Sequence, residues 1–285
     1  MLVLPISRDL PIERGHVRDV AWRDDVRAIT FDFGNTLVAV DRAALHAVVE
    51  ATAEAVVVRL GPFEVGEFLA IWAEERERQF REEVPRFREV DMAERFVRVL
   101  ARLRGMGPPS PDQSWDQAAA GRMSESAEID WAVETYSLAF VGAMPPPPTV
   151  GPLLERLARR RQLAILSNWP LAATIDRYVE AAGWAEHLSA VIVSQRVGTI
   201  KPHPAIFAAA AAALGDPPAA SILHVGDDWR ADVVGAAQAG WRTAYLDARP
   251  ADSPLPSSAR DATVVPDLEL AELADLAVLF DGDAR

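Results

Sequence analysis

The chain has no cysteine. Disulfides, thiolate nucleophiles and Cys-ligated zinc or iron–sulfur centres are therefore excluded together. Lysine is almost missing as well. Lys201 is the single one, so chemistry needing a side-chain primary amine has one address. Positive charge is in deficit, with 29 Lys and Arg against 42 Asp and Glu and a formal net charge of -13. A broad nucleic-acid surface needs clustered positive charge, so no nucleic-acid partner is expected. The acidity is dispersed and reads as solubility. No apolar run approaches the roughly 20 residues that span a bilayer. The first thirty residues also lack the basic start and apolar stretch of a secretory signal. The expectation is a cytoplasmic protein without a membrane partner.

What is present suits a folded chain of 285 residues, half hydrophobic and 25% charged. That length allows one large domain, or a core carrying a smaller one. Residues 1–27 are polar and irregular, with Pro5, Pro11 and Gly15, and read as an extension anchored by Trp22. Arg27 to Phe31 then reads as a short buried strand that ends at Asp32-Phe33-Gly34-Asn35. From Arg42 to Val141 apolar residues recur at helical spacing, as in Phe68, Ile71 and Trp72 or Phe96, Val97, Leu100 and Leu103. No strand is expected there. Pro145 to Pro148 forms a stiff connector.

Beyond the prolines, helices alternate with strands. Strands are expected at Leu163–Leu166, Ala190–Ser194, Ile222–Val225 and Thr243–Leu246, with helices at Pro152–Arg160, Ala172–Ala182, Ala205–Leu214 and Ala231–Ala239. This alternation predicts an α/β fold, a doubly wound parallel sheet whose ligands bind at the carboxyl ends of strands. An α-helical cap over 42–141 is inserted into a core formed by 28–41 and 142–285.

The polar residues fall at those strand ends. Ile29-Thr30-Phe31-Asp32-Phe33-Gly34-Asn35-Thr36-Leu37 resembles the first motif of haloacid dehalogenase-like hydrolases. Leu166-Ser167-Asn168 resembles the second, and Gly198-Thr199-Ile200-Lys201-Pro202 the third. His224-Val225-Gly226-Asp227-Asp228-Trp229-Arg230-Ala231-Asp232 resembles the fourth. One such motif is weak evidence; four in the family's order are strong.

Phosphoryl transfer needs an in-line nucleophile and positive charge around the equatorial oxygens. A carboxylate at a strand end can be that nucleophile, and a divalent ion must bridge the two anions. The resemblance implies Asp32 as nucleophile and magnesium held by Asp32, the carbonyl of Gly34 and Asp227, with Asp232 in an outer or water-mediated role. It also implies that Lys201 sets its charge against phosphate and nucleophile, while the Ser167 hydroxyl and the Asn168 amide hold phosphoryl oxygens. The implied partner is a small phosphorylated molecule. Taken singly, each residue has a plainer reading: Asp32, Ser167 and Asn168 as turn formers, Lys201 as a solvated charge, Asp228 and Asp232 as helix caps. His224 reads as a buried structural histidine, and His46, His187 and His203 carry no assigned role. Trp169 and Trp229 either wall the pocket or pack.

One departure matters. Phosphatases of the family carry a second Asp two residues after the nucleophile, where this chain has Gly34. General acid–base help of that kind is worth about 10² to 10⁴ in rate. Four readings remain. The first is a phosphatase whose leaving group needs little protonation, or which finds its acid elsewhere. The second is a carbon–halogen hydrolase, in which halide leaves unprotonated but Asp227 and Asp232 are an odd retention. The third is a phosphonoacetaldehyde hydrolase, which needs a cap lysine that 42–145 lacks. The fourth is a weak relative that binds phosphate or a protein partner. In the cap, Arg76, Arg78, Arg81, Arg86 and Arg88 are candidates for anion recognition, set against a solvated face balanced by neighbouring glutamates.

Overall fold

The computed structural model describes residues 21–280. Most of the expected 1–27 extension lies outside them. Its last part forms a 3-10 turn at Ala21–Asp25, and Trp22 packs partly buried against the core beneath the guanidinium of Arg242.

Strand β1 (Ala28–Phe31) is buried along its whole length. It is followed by five helices: α1 (Arg42–Leu60), α2 (Val65–Glu83), α3 (Met92–Leu103), α4 (Gln117–Gly121) and α5 (Ser126–Ala143). Aspartates start three of them. Asp41, Asp91 and Asp116 each accept a backbone amide of the first turn, which satisfies a donor the helix cannot use.

The chain then alternates through α6 (Val150–Ala158), β2 (Gln162–Ser167), α7 (Ala172–Ala181), β3 (Ala190–Val193), α8 (Ser194–Val197) and α9 (Pro204–Ala213). It continues with β4 (Ile222–Gly226), a π-type turn at Trp229–Val234, α10 (Gly235–Gln238), β5 (Arg242–Leu246), β6 (Leu268–Leu270) and α11 (Asp275–Phe280). The six strands lie in the order β3-β2-β1-β4-β5-β6, and every pairing is parallel. This is the doubly wound α/β fold the alternation predicts. Among the described residues no helix is long and apolar enough to cross a membrane.

Strand alternation sorts the side chains into two layers. Ile29, Phe31, Leu163, Ile165, Leu223 and Val225 face the larger core with α6 and α7. Ala28, Ala164, Leu166 and Ile222 face a smaller core closed by α9 and α10. Both faces are covered, so these strands read as apolar runs.

Two elements differ from the sequence expectation. Ser194 opens a short helix instead of ending β3, because its hydroxyl is engaged by the Trp169 amide. β6 was not expected: its three residues, Leu268-Glu269-Leu270, are too few to show a period.

The helical segment is joined to the sheet by aromatic packing. Phe140 of α5 lies 5.2 Å from the Trp169 ring and 6.4 Å from Phe33, which follows the nucleophile candidate directly. Phe33 also meets Trp169 and Tyr178 edge-on. Beside this cluster the hydroxyls of Ser137 and Thr174 are 2.7 Å apart. Phe140 is fully buried, so Phe140→Ala should cost about 3–5 kcal/mol in denaturant unfolding. A loss below about 1 kcal/mol would show that this cluster does not join the two layers.

Candidate active site

β1 lies between β2 and β4, so the carboxyl ends of these three strands are neighbours. Asp32 leaves β1, Ser167 is the last residue of β2, and Asp227 follows the end of β4. Ligand atoms of Asp32, Asp227 and Asp232 all lie within 4.8 Å of one another.

Lys201 stands among them, 2% exposed. Its ammonium donates to Asp32 Oδ1 at 2.9 Å, to Asp232 Oδ1 at 2.6 Å and to the Leu166 carbonyl at 2.8 Å, which uses all three protons. The lysine is aimed by Asn168, whose side-chain amide bonds both the N–H and the carbonyl of Lys201 at 2.7 and 3.0 Å. The ammonium is thus no solvated loop charge.

Asp232 has both oxygens engaged. Oδ1 also takes His224 Nε2 at 3.0 Å, and Oδ2 accepts the Asp228 amide at 2.9 Å. With the carboxylate accepting from Nε2, Nδ1 of His224 takes the hydroxyl of Thr30 at 2.8 Å. Gly226 permits this approach, because a Cβ there would run into the Asp232 carboxyl. Asp228 caps the following turn through the Ala231 amide at 2.7 Å and binds Ser258, in keeping with the capping reading.

The charges follow from burial and pairing. Burial drives the carboxyls upward, and at Asp232 the nearby Lys201 ammonium overrides it and holds the group well below the carboxylate range. Asp32 is raised, chiefly by burial, against the pull of Lys201. Asp227 is pushed up to about 7 by burial and by the charges of Asp32 and Asp232. Burial alone would lower Lys201, but its two carboxylates keep it raised and charged. Burial lowers His224, which is neutral at pH 7.

Three crowded carboxylates face the Lys201 ammonium and, at Asp227, the Arg249 guanidinium, which leaves one negative charge in excess. An all-oxygen donor set of this kind fits a hard divalent cation. Ser167 supplies a second sign of an anion site: its hydroxyl is buried without a hydrogen-bond partner in the protein, near enough to Asp32 to act on its carboxyl.

Several residues that shape the site were assigned no role from the sequence. Asn35 adopts a left-handed φ of 58°, which Asn tolerates, and so turns the chain after Gly34. Its amide reaches Asp227 Oδ2 at 3.4 Å and Ser253 Oγ at 3.0 Å. Arg249 donates to Asp227 Oδ2 at 3.0 Å and also binds the carbonyls of Leu255 and Pro256. The strap 249–258 therefore folds over the first motif, and Leu255 rests on Gly34. A Cβ at Gly34 would lie 2.5 Å from Leu255 Cδ1 and 3.4 Å from the Trp169 ring. Gly34 is not among the left-handed glycines. Side-chain volume, and not backbone angle, is what an Asp would contend with there. Trp169 both packs and walls this spot, while Trp229 is buried against Tyr245.

The arginine candidates separate. Arg78 binds the Pro109 carbonyl and Arg88 pairs with Glu83, while Arg81 and Arg86 are exposed. Arg76 alone of the five reaches the strap, at the Pro254 carbonyl. His203 caps α9 through the Ala205 amide, and His46 is exposed on α1.

With this geometry in place, comparison with known proteins is informative. Residues 26–240 match the haloacid dehalogenase-like hydrolases, and the chain belongs to that family. The pyrimidine 5'-nucleotidase YjjG of Escherichia coli (strain K12) is 29% identical over 120 residues, 41% of this chain and 53% of that protein. The phosphoserine phosphatase of Thermus thermophilus is 37% identical over 123 residues, 42% of this chain and 45% of that protein. The matches span about half the length of these curated relatives. The fold resembles a 2-haloacid dehalogenase from Pseudomonas syringae pv. Tomato, with a TM-score of 0.61 at 24% identity over 90% of this chain and 98% of that one.

One contact ties the helical segment to the site's rim. The Ser194 hydroxyl donates to Glu89 Oε2 at 2.5 Å, and burial pushes the Glu89 carboxyl up to about 7. The folded protein therefore holds a proton that the unfolded chain has lost between the ordinary carboxyl range and pH 7. Stability from this group is present at low pH and lost as pH rises to about 7. Glu89→Gln should remove that loss, narrowing the fall in Tm between pH 5 and pH 8. An unchanged fall would show that Glu89 titrates normally.

Proposed function

We propose that the chain is a magnesium-dependent phosphatase acting on a small phosphorylated metabolite through an aspartyl-phosphate on Asp32. The observation that carries the reading is the buried ammonium of Lys201 shared between Asp32 and Asp232, with Asp227 as third carboxylate. When bound, magnesium supplies the positive charge that lets an anionic nucleophile meet a phosphoryl group. Asp32, the carbonyl of Gly34 and Asp227 would hold it, with Asp232 in an outer position.

Lys201 keeps one Asp32 oxygen fixed, so the carboxylate meets phosphorus in one orientation. The Asp32 oxygen bonds to phosphorus as the bond to the leaving oxygen breaks. Water then attacks phosphorus, releasing inorganic phosphate and the Asp32 carboxylate. The unpartnered Ser167 hydroxyl and the Asn168 backbone amide are the donors for phosphoryl oxygens. The helices over 42–141 serve as the cap that closes on this site and excludes water, above a core of 28–41 and 142–285. The names of the two curated relatives, a nucleotidase and a phosphatase, agree with this chemistry.

A second reading has its own observation. Gly34 removes the usual acid, and carbon–halogen hydrolysis needs none. The three-carboxylate cluster favours the phosphatase, because attack on a carbon–halogen bond brings no phosphoryl oxygens up to Asp32 for a divalent cation to bridge. An assay separates them: magnesium-dependent phosphate release from aryl phosphates is expected, without halide release from 2-haloacids. Asp32→Asn should abolish turnover with an unchanged circular dichroism spectrum. Turnover at the natural rate in that variant would remove Asp32 from the chemistry.

Gly34 gives a sharper expectation. Without an acid at that position the rate should depend steeply on the leaving group's pKa, with aryl and acyl phosphates fast and alkyl phosphates slow. Restoring the carboxylate by Gly34→Asp together with Leu255→Ala, which frees the volume, should narrow that gap by up to about 10². A flat dependence in the natural protein would mean that another acid already acts.

A further inference from the structure

Arg95, on α3, is 4% exposed and carries no ion pair among the described residues. Its Nε donates to Gln79 Oε1 at 2.9 Å, and its guanidinium lies over the Trp72 ring at 5.1 Å. One end, Nη2, is buried with no hydrogen-bond partner among the described residues. Among the described residues the other deeply buried guanidinium of the helical segment, Arg98, is paired with Glu82 at 3.0 Å. A buried guanidinium left with a free N–H edge is costly, and a carboxylate is the group whose geometry completes it.

The position of Arg95 points to where that carboxylate would come from. Arg95 touches Trp72 and Gln79 of α2, so Arg76, on the same face of that helix between them, adjoins it, and Glu89 lies within reach of its charge. Arg76 and Glu89 grip the core on opposite sides of Gly34. Arg76 holds the Pro254 carbonyl, next to the Leu255 that rests on Gly34. Glu89 holds Ser194, which in turn binds the amide of Trp169, the other side chain against Gly34. Tyr136 senses both arginines. Arg95 and Arg76 thus sit on the part of the helical segment bracketed over the nucleophile's neighbour. Arg76 brings a second positive charge to the same place. The nearby carboxyl of Glu89 is taken up by the Ser194 hydroxyl and forms no ion pair with either arginine among the described residues.

We propose that Arg95, assisted by Arg76, is the specificity-determining residue of this site and receives a carboxylate carried by the substrate's leaving group. The preferred substrates are then phosphate monoesters of carboxylic acids. The proposal rests on the phosphatase reading for the group held at Asp32, and its test keeps the two apart.

Calorimetry with excess magnesium would compare phosphonoacetate, which joins a phosphonate to a carboxylate, with methylphosphonate, which lacks it. The natural protein should bind the first about 10- to 100-fold more tightly, the range expected for a charge-assisted hydrogen-bonded pair. Arg95→Gln should lose most of that ratio, and Arg76→Gln part of it. Kinetics on 4-carboxyphenyl phosphate and its neutral 4-carbamoyl counterpart should show the same ratio in kcat/KM. A merely structural Arg95 would weaken both members of each pair equally. If Arg95→Gln does not fold, Arg76→Gln decides, since that side chain is partly exposed and, among the described residues, makes only a bond to the Pro254 carbonyl and a stacking contact with Phe80: an undiminished ratio in that variant overturns the proposal. So does absence of a carboxylate preference in the natural protein, or one that survives Arg95→Gln. No turnover of any ester, with the binding preference intact, would overturn the phosphatase reading and with it the substrate class, while the carboxylate contact of Arg95 would stand.

Discussion

Everything at the strand ends depends on one buried ammonium. Without Lys201, Asp32 and Asp232 would face each other as unpaired carboxylates in a region closed to water, and one would have to take up a proton. With it, Asp232 stays ionised and binds His224 and the Asp228 amide, which fixes the turn after β4. Burying such a pair gives little net stability, since desolvation offsets most of the attraction. What it gives is position. The ammonium is satisfied only when the ends of β1, β2 and β4 and the loop before α9 are all in register, so the fold and the arrangement of the Asp32 carboxylate form together.

A second constraint is the volume above Gly34. Leu255 and Trp169 lie against it, and the strap that carries Leu255 is tied down by Arg249, by Ser253 through Asn35, and from the helical segment by Arg76. Gly34 is therefore one half of a fitted pair and not a bare gap. The same strap brings a guanidinium to Asp227, so that carboxylate is provided with a counter-charge by the chain itself. The helical segment touches the core through this strap, through Glu89 and Phe87 at the loop leading to Lys201, and through the Phe140 cluster. The position of the helical segment over the strand ends thus depends on a few contacts.

Much of this was legible in the sequence because it rests on local pattern. Apolar runs ending in polar residues marked five of the six strands, and the four motifs marked Asp32, Ser167, Lys201 and Asp227. Asp228 read equally as cap or ligand, and only coordinates show the Ala231 amide on it. What was not legible lies in contacts between residues far apart in sequence. Arg249 and Leu255 sit in a stretch of Pro, Asp and Ser with no period, and their meaning comes from reaching Asp227 and Gly34 across the fold. Arg95 was hidden for a different reason. In an amphipathic helix an arginine reads as solvent-facing, and nothing local says that Trp72 and Gln79 of α2 close over it. β6 was missed simply because three residues cannot establish an alternation.

The central claim is that Asp32 carries the phosphoryl group during turnover. Its most direct test is rapid quenching of a single turnover of an aryl phosphate with magnesium, followed by borohydride reduction and peptide mass spectrometry. An acyl phosphate at Asp32 is reduced to homoserine, so the account predicts homoserine at position 32, dependent on substrate and absent in Asp32→Asn. Phosphate release with Asp32 unreduced, or with the label on another carboxylate, would contradict it.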